Sequence, residues 1–104
     1  MLNPVMNNTK WDELRLAMDE VIPRPYWKSL ATNGYVYGPD CDWLEHFREG
    51  GYDHIVHVDI LIETPDQRDL VQSALRKIHV PCEETPARFR VFGYLRDGQG
   101  ADYI

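Results

Sequence analysis

The chain has 104 residues, 43% of them hydrophobic, and a formal net charge of −6 at pH 7. That length holds one domain and is too short for two comfortable cores, and the apolar content excludes a disordered chain. The acidic balance argues against binding a nucleic-acid backbone, which needs clustered positive charge, and no apolar run reaches membrane-spanning length.

Residues 1–8 read as a loose leader without the basic and apolar regions of a secretory signal. A helix is predicted from Thr9, with Thr9 as N-cap and Asp12 and Glu13 favouring its positive end. Trp11, Leu14, Ala17, Met18, Val21 and Ile22 form its apolar stripe, and Pro23 and Pro25 stop it. Tyr26–Leu30 and Tyr35–Tyr37 flank Ala31-Thr32-Asn33-Gly34, and Asn-Gly is a strong hairpin signal because both residues tolerate positive φ. Gly38-Pro39-Asp40 breaks the chain. Residues 42–49 read either as two helical turns capped by Asp40 or Asp42, with Trp43, Leu44 and Phe47 inward, or as a short strand. Gly50-Gly51 then turns the chain.

The most strand-like run is Tyr52 to Ile62. Val56, Val58, Ile60 and Ile62 occupy alternate positions and predict a wholly apolar face, while Ile55, His57, Asp59 and Leu61 form a mixed one. Thr64-Pro65-Asp66-Gln67 opens a second helix: Thr64 as N-cap, Pro65 at the first helical position, Gln67 closing a capping box. Its buried face is Leu70, Val71, Ala74, Leu75 and Ile78. A short strand around Val80–Glu83 and a longer one over Arg88–Leu95 flank a turn at Glu84–Ala87. Pro81 is expected to put its strand at a sheet edge. Residues 97–104 read as a loose tail. This order predicts a single α+β domain over residues 1–104, with an antiparallel or mixed sheet of about four to five strands and two main helices on one face.

The run Asn7-Asn8-Thr9-Lys10-Trp11-Asp12-Glu13-Leu14-Arg15 resembles the opening of a family of small bacterial proteins of unknown function. The resemblance continues at Trp43 through Phe47, at Gly50-Gly51-Tyr52, at Ile78-His79-Val80-Pro81 and at Phe89-Arg90-Val91-Phe92-Gly93-Tyr94. It covers most of the chain and implies no activity, cofactor or catalytic residue. Size and charge are those of immunity proteins that neutralise toxins, an analogy and not a motif.

Three constellations carry chemistry. His57 and Asp59, two apart on a strand, share a face and form a pair suited to acid–base work or a metal site, with His46 or His54 as further ligands. Asp42 and His46 stand one helical turn apart beside Cys41 and Glu45, an incomplete metal set. Cys41 and Cys82 are flanked by acids that raise a thiol pKa, which disfavours a nucleophile. No cofactor is implied, and two unpatterned cysteines fit reduced thiols in the cytoplasm. Aromatics exceed what a short hairpin can bury. Tyr26, Trp27, Tyr35 and Tyr37, with Asp40, Asp42 and Glu45, compose an interface anchor with a charged rim. The expected function is therefore a non-enzymatic protein-binding domain of immunity type; the alternative is a small metal protein or enzyme using His57 and Asp59. A homodimer through an exposed strand edge, near Pro81–Glu83 or Tyr35–Tyr37, is compatible with either.

Overall fold

The alternating segment forms the strand on which everything else is registered. The computed structural model describes residues 1–104. In chain order its elements are β1 (Leu2–Pro4), α1 (Asn8–Glu20), β2 (Tyr26–Ala31), β3 (Val36–Asp40), β4 (Ile55–Leu61), α2 (Pro65–Ile78), β5 (Pro81–Thr85), β6 (Arg88–Phe92), β7 (Tyr94–Arg96) and β8 (Asp102–Tyr103). The main sheet has six strands in the order β3-β2-β4-β6-β5-β8, and β1 and β7 form a separate two-stranded ribbon. Every pairing is antiparallel. The fold is α+β as expected, with a larger sheet than the about four to five strands predicted from hydrophobic periodicity.

The additional strands come from the chain ends. Leu2, Asn3 and Pro4 pair with Arg96, Leu95 and Tyr94, so the expected loose leader is a strand. Pro81 and Cys82 pair with Tyr103 and Asp102, so the expected loose tail covers β5, and Pro81 lies one strand in from the edge. Short, polar strands of this kind give almost no periodic signal, because pairing is supplied by the neighbour and not by their own side chains.

Both helices start on side-chain caps. Thr64 accepts a bond from the Gln67 N–H at 3.1 Å, and Gln67 Oε1 accepts from the Glu63 N–H at 2.8 Å. α1 begins earlier than predicted, because Asn7, as good a cap as Thr, accepts from the Lys10 N–H at 2.8 Å. The helices lie antiparallel. Lys10 Nζ donates to the His79 carbonyl at 2.7 Å at one end, and Gln67 Nε2 donates to the Pro23 carbonyl at 2.9 Å at the other. Arg68 ties α2 to the β5–β6 turn through Glu84 and the Thr85 carbonyl.

The core lies between the helices and one face of the sheet. Trp11, Leu14, Met18, Val71 and Leu75 meet Val58, Ile60, Phe89 and Val91. Three predicted core residues are exposed instead: Ile22, Leu44 and Leu70. The helical path ends at Val21, whose extended backbone turns Ile22 outward. Fully buried Gln67 takes the place beside Val71 and Leu75, which rotates the α2 stripe away from Leu70. The face assignment in β4 also changes partway. Leu30 pairs with His57 but Ala31 pairs with Ile55, so Val56 is an extra residue in a bulge. Beyond the bulge Ile55 enters the core, and Val56 sits half-buried beside His57 in a surface groove.

Residues 43–50 form successive turns, neither helix nor strand. Asp42 Oδ1 accepts from the Leu44 and Glu45 N–H groups, both at 3.0 Å, and holds the turn. Trp43 and Phe47 plug inward, and Phe47 is the hub of an aromatic cluster. Its ring centroid is 4.8 Å from Trp43, 5.3 Å from Trp27 and 5.9 Å from Trp11. The buried indole N–H groups are satisfied: Trp43 donates to the Pro25 carbonyl at 2.9 Å and Trp27 to the Asp42 carbonyl at 3.0 Å.

Candidate functional site

The residues predicted to form an interface divide between three places. Strand alternation sends Trp27 into the core, 4% exposed, and Tyr26 to the opposite, helix-free face, where it pairs with Leu61. Tyr35 and Tyr37 stay together at the free side of the sheet, with ring centroids 4.5 Å apart in edge-on contact and exposures of 59% and 43%. His54 extends this group, 5.8 Å from the Tyr37 ring. The hairpin turn presents them because Gly34 takes a φ of 87° and Asn33 Oδ1 accepts from the Tyr35 N–H. Only Gly34 uses the positive φ anticipated for both residues.

β3 carries this surface from Tyr35 toward acids at its far end. It pairs with β2 on one side and has no neighbour on the other, so its outer backbone groups are open to a further strand, except at Pro39, which has no N–H to donate. At the far end His46 Nδ1 lies 2.8 Å from Asp40 Oδ2 and 3.7 Å from Asp42 Oδ2. The Asp40 hydrogen bond, then the Asp42 charge, raises the His46 pKa above its ordinary value. Asp40 and Asp42 are held below theirs, chiefly by the backbone N–H groups of Asp42 and Glu45 respectively. Arg24, Cys41, Leu44 and Glu45 complete the notch around them. Asp42 and His46 are thus close, as the i, i+4 spacing suggested, although the backbone between them is turn and not helix.

His57 and Asp59 share the helix-free face as predicted, each with its side chain 16% exposed, but do not form a tight pair: His57 Nδ1 is 3.8 Å from Asp59 Oδ1. Asp59 is claimed by Arg90, which donates from Nε at 2.8 Å and Nη2 at 3.1 Å in a bidentate clasp. Arg88 stands 3.7 Å from the same oxygen and 3.3 Å from Glu83. Burial, and then the Arg90 charge, lowers the His57 pKa, so its imidazole is neutral at neutral pH. His57 Nδ1 and Arg88 Nη1 are buried without hydrogen-bond partners.

Arg88 and Arg90 are the residues that sequence reasoning missed as partners of Asp59. They alternate with Phe89 and Val91 along β6 and so share the helix-free face with Phe92. The missing information was the β4–β6 register, which sets Arg90 directly opposite Asp59. A groove of about 540 Å³ opens beside His57, lined by Leu30, Val56, Arg90, Phe92 and Arg96 among others. His46 and His54 do not join His57: they belong to the Asp40 and Tyr37 groups. No set of three or more His, Cys, Asp and Glu side chains is arranged to hold a metal ion. Cys82 is buried and its thiol is pushed up to about 12, by desolvation first and by Glu84 and Glu83 after it. No helix is long and apolar enough to cross a membrane.

No curated protein and no solved structure matches the chain. A family model does match, over residues 1–98: it is that of a family of unknown function, DUF6678, and the chain belongs to this family.

Proposed function

We propose that this domain is a non-catalytic module that binds a protein partner along the free edge of β3. The observation that carries the reading is the exposed Tyr35–Tyr37 pair on a strand with one open side. Aromatics of this kind bury large area at low entropic cost, and an open strand edge adds backbone hydrogen bonds. Asp40, Asp42 and Glu45 at the far end of the strand supply an acidic rim, which selects a partner with a basic surface. Trp27 has no part in this surface, and Tyr26 belongs to the other face of the sheet. A net charge of −6 is consistent with such a partner, and the class we favour is a toxin neutralised in the cytoplasm by its immunity protein.

The test is co-expression with the protein encoded beside the gene, read as growth protection and as affinity. Binding is expected to fall by about 100-fold in the Tyr35→Ala/Tyr37→Ala variant, the loss expected of two aromatic anchors. A photo-crosslinker at Val36 is expected to capture the partner, and one at Glu63 to leave it free. Unchanged affinity in the double variant would refute the surface.

A second reading, acid–base or metal chemistry at His57 and Asp59, draws on the adjoining groove and the unpartnered Nδ1. The bidentate hold of Arg90 on Asp59 weighs against it, because the carboxylate has both oxygens engaged. Stoichiometric metal in the purified protein, lost in a His57→Ala variant, would restore it.

A further inference from the structure

The solvent side of the helix pair carries two rows of equal spacing. On α1 the row is Glu13, Leu16, Ala17 and Glu20; on α2 it is Leu70, Ser73, Ala74 and Lys77. Both follow i, i+3, i+4, i+7, one face of a helix. Together they wall a groove of about 590 Å³. Leu16 and Leu70 are 50% and 49% exposed in it. The helices are antiparallel, with Lys10 beside His79 and Gln67 beside Pro23. Glu13 therefore stands level with Lys77, Leu16 with Ala74, Ala17 with Ser73, and Glu20 with Leu70.

We propose that this face joins two copies of the chain around a two-fold axis running along the helices. Such an axis lays each α1 on the α2 of the other copy. Glu13 then meets Lys77 twice over, once on each side of the axis, and Leu16 seats on the small side chains of Ser73 and Ala74. An axis across the helices would lay α1 on α1 and bring Glu13 against Glu20, so the charge pattern selects the first arrangement. The surface is self-complementary, as an isologous dimer requires. Each helix is about 20 Å long and the pair about 20 Å wide, so the contact covers about 400 Å² per copy and about 800 Å² in all, below stable specific interfaces and in the range of transient ones. The dimer is accordingly weak and concentration-dependent. It is separate from the β3 edge and leaves that edge free.

Analytical ultracentrifugation of the full chain, from about 1 µM to about 1 mM, tests this, since that range brackets the affinity of a small interface. A monomer–dimer equilibrium is expected. Glu13→Lys and Lys77→Glu are each expected to weaken it at least about tenfold, because each creates two like-charge contacts. An equimolar mixture of the two variants is expected to recover the dimer, since every contact is again between opposite charges. The Glu13→Lys/Lys77→Glu double variant should recover it as well. Circular dichroism of each variant, altered only at exposed positions, checks that folding is intact. A chain that stays monomeric throughout the range overturns the proposal. So does a dimer indifferent to the charge reversals, or one that the mixture fails to restore.

Discussion

Gln67 is the side chain whose removal tests the helix packing most directly. It is fully buried, its Oε1 accepts from the Glu63 N–H at 2.8 Å, and its Nε2 donates to the Pro23 carbonyl at 2.9 Å. One amide thereby secures the start of α2 and the chain leaving α1. Gln67→Leu keeps the volume and orphans both backbone groups. Each such group costs about 1–3 kcal/mol when buried. Both are only partly buried here, so the lower half of the range applies, and the pair sums to about 2–4 kcal/mol. Against a total stability of about 5–15 kcal/mol this is a large fraction. In a domain of this size it lowers Tm by roughly 10–25 °C. Urea unfolding with an unchanged m-value is the assay. Thr64→Ala, which removes only the cap, is the comparator and should cost about 1 kcal/mol. A Gln67→Leu loss no greater than that of Thr64→Ala would refute the reasoning.

Gly93→Ala is expected to destabilise by about 2–3 kcal/mol, because an added Cβ overlaps the Ile55 carbonyl oxygen and presses on Trp11; thermal melting checks it. Histidine titration by NMR should place His46 above and His57 below the ordinary value of about 6.5. The signs for stability are opposite. The raised His46 contributes stability that is full below its unfolded pKa and is lost as pH rises through its folded pKa. The lowered His57 contributes stability that is full above its unfolded pKa and is lost as pH falls through its folded pKa. A His57→Phe variant should therefore lose less stability on acidification than the parent, as read by denaturant unfolding at each pH. Thiol labelling should modify half-buried Cys41 in the native protein and buried Cys82 only on unfolding; equal rates at neutral pH would contradict the packing around β5.

The parts of the fold legible in the sequence are those where side chains alone decide. Thr64-Pro65 and Gln67 announced α2 through capping chemistry, and Asn33-Gly34 announced the hairpin. The β4 core face was legible through Val58 and Ile60 and misread at Ile55 and Val56, because a bulge is a property of two strands and not of one. β1 and β8 were illegible for the same reason: their residues are ordered by partners at least 90 and about 20 positions away. The candidate site divides likewise. Tyr35, Tyr37 and the nearness of Asp42 to His46 are readable from local spacing, while the shorter contact of His46 with Asp40 is not. Trp27 was assigned to the surface because the aromatic-rich segment 43–47 that covers it has no periodicity of its own. The bond between Arg90 and Asp59 depends on register across 31 positions and left no local trace.

The placement of the three indoles around Phe47 decides what intrinsic fluorescence can report. Trp11, Trp27 and Trp43 all sit where α1 meets β2 and the turn that follows β3, and β5, β6 and β8 hold none. An emission shift during unfolding therefore follows one end of the sheet only. Separation of β8 from β5 would pass unseen in such a trace, and amide exchange at Cys82 and Ile104 is the probe that would register it.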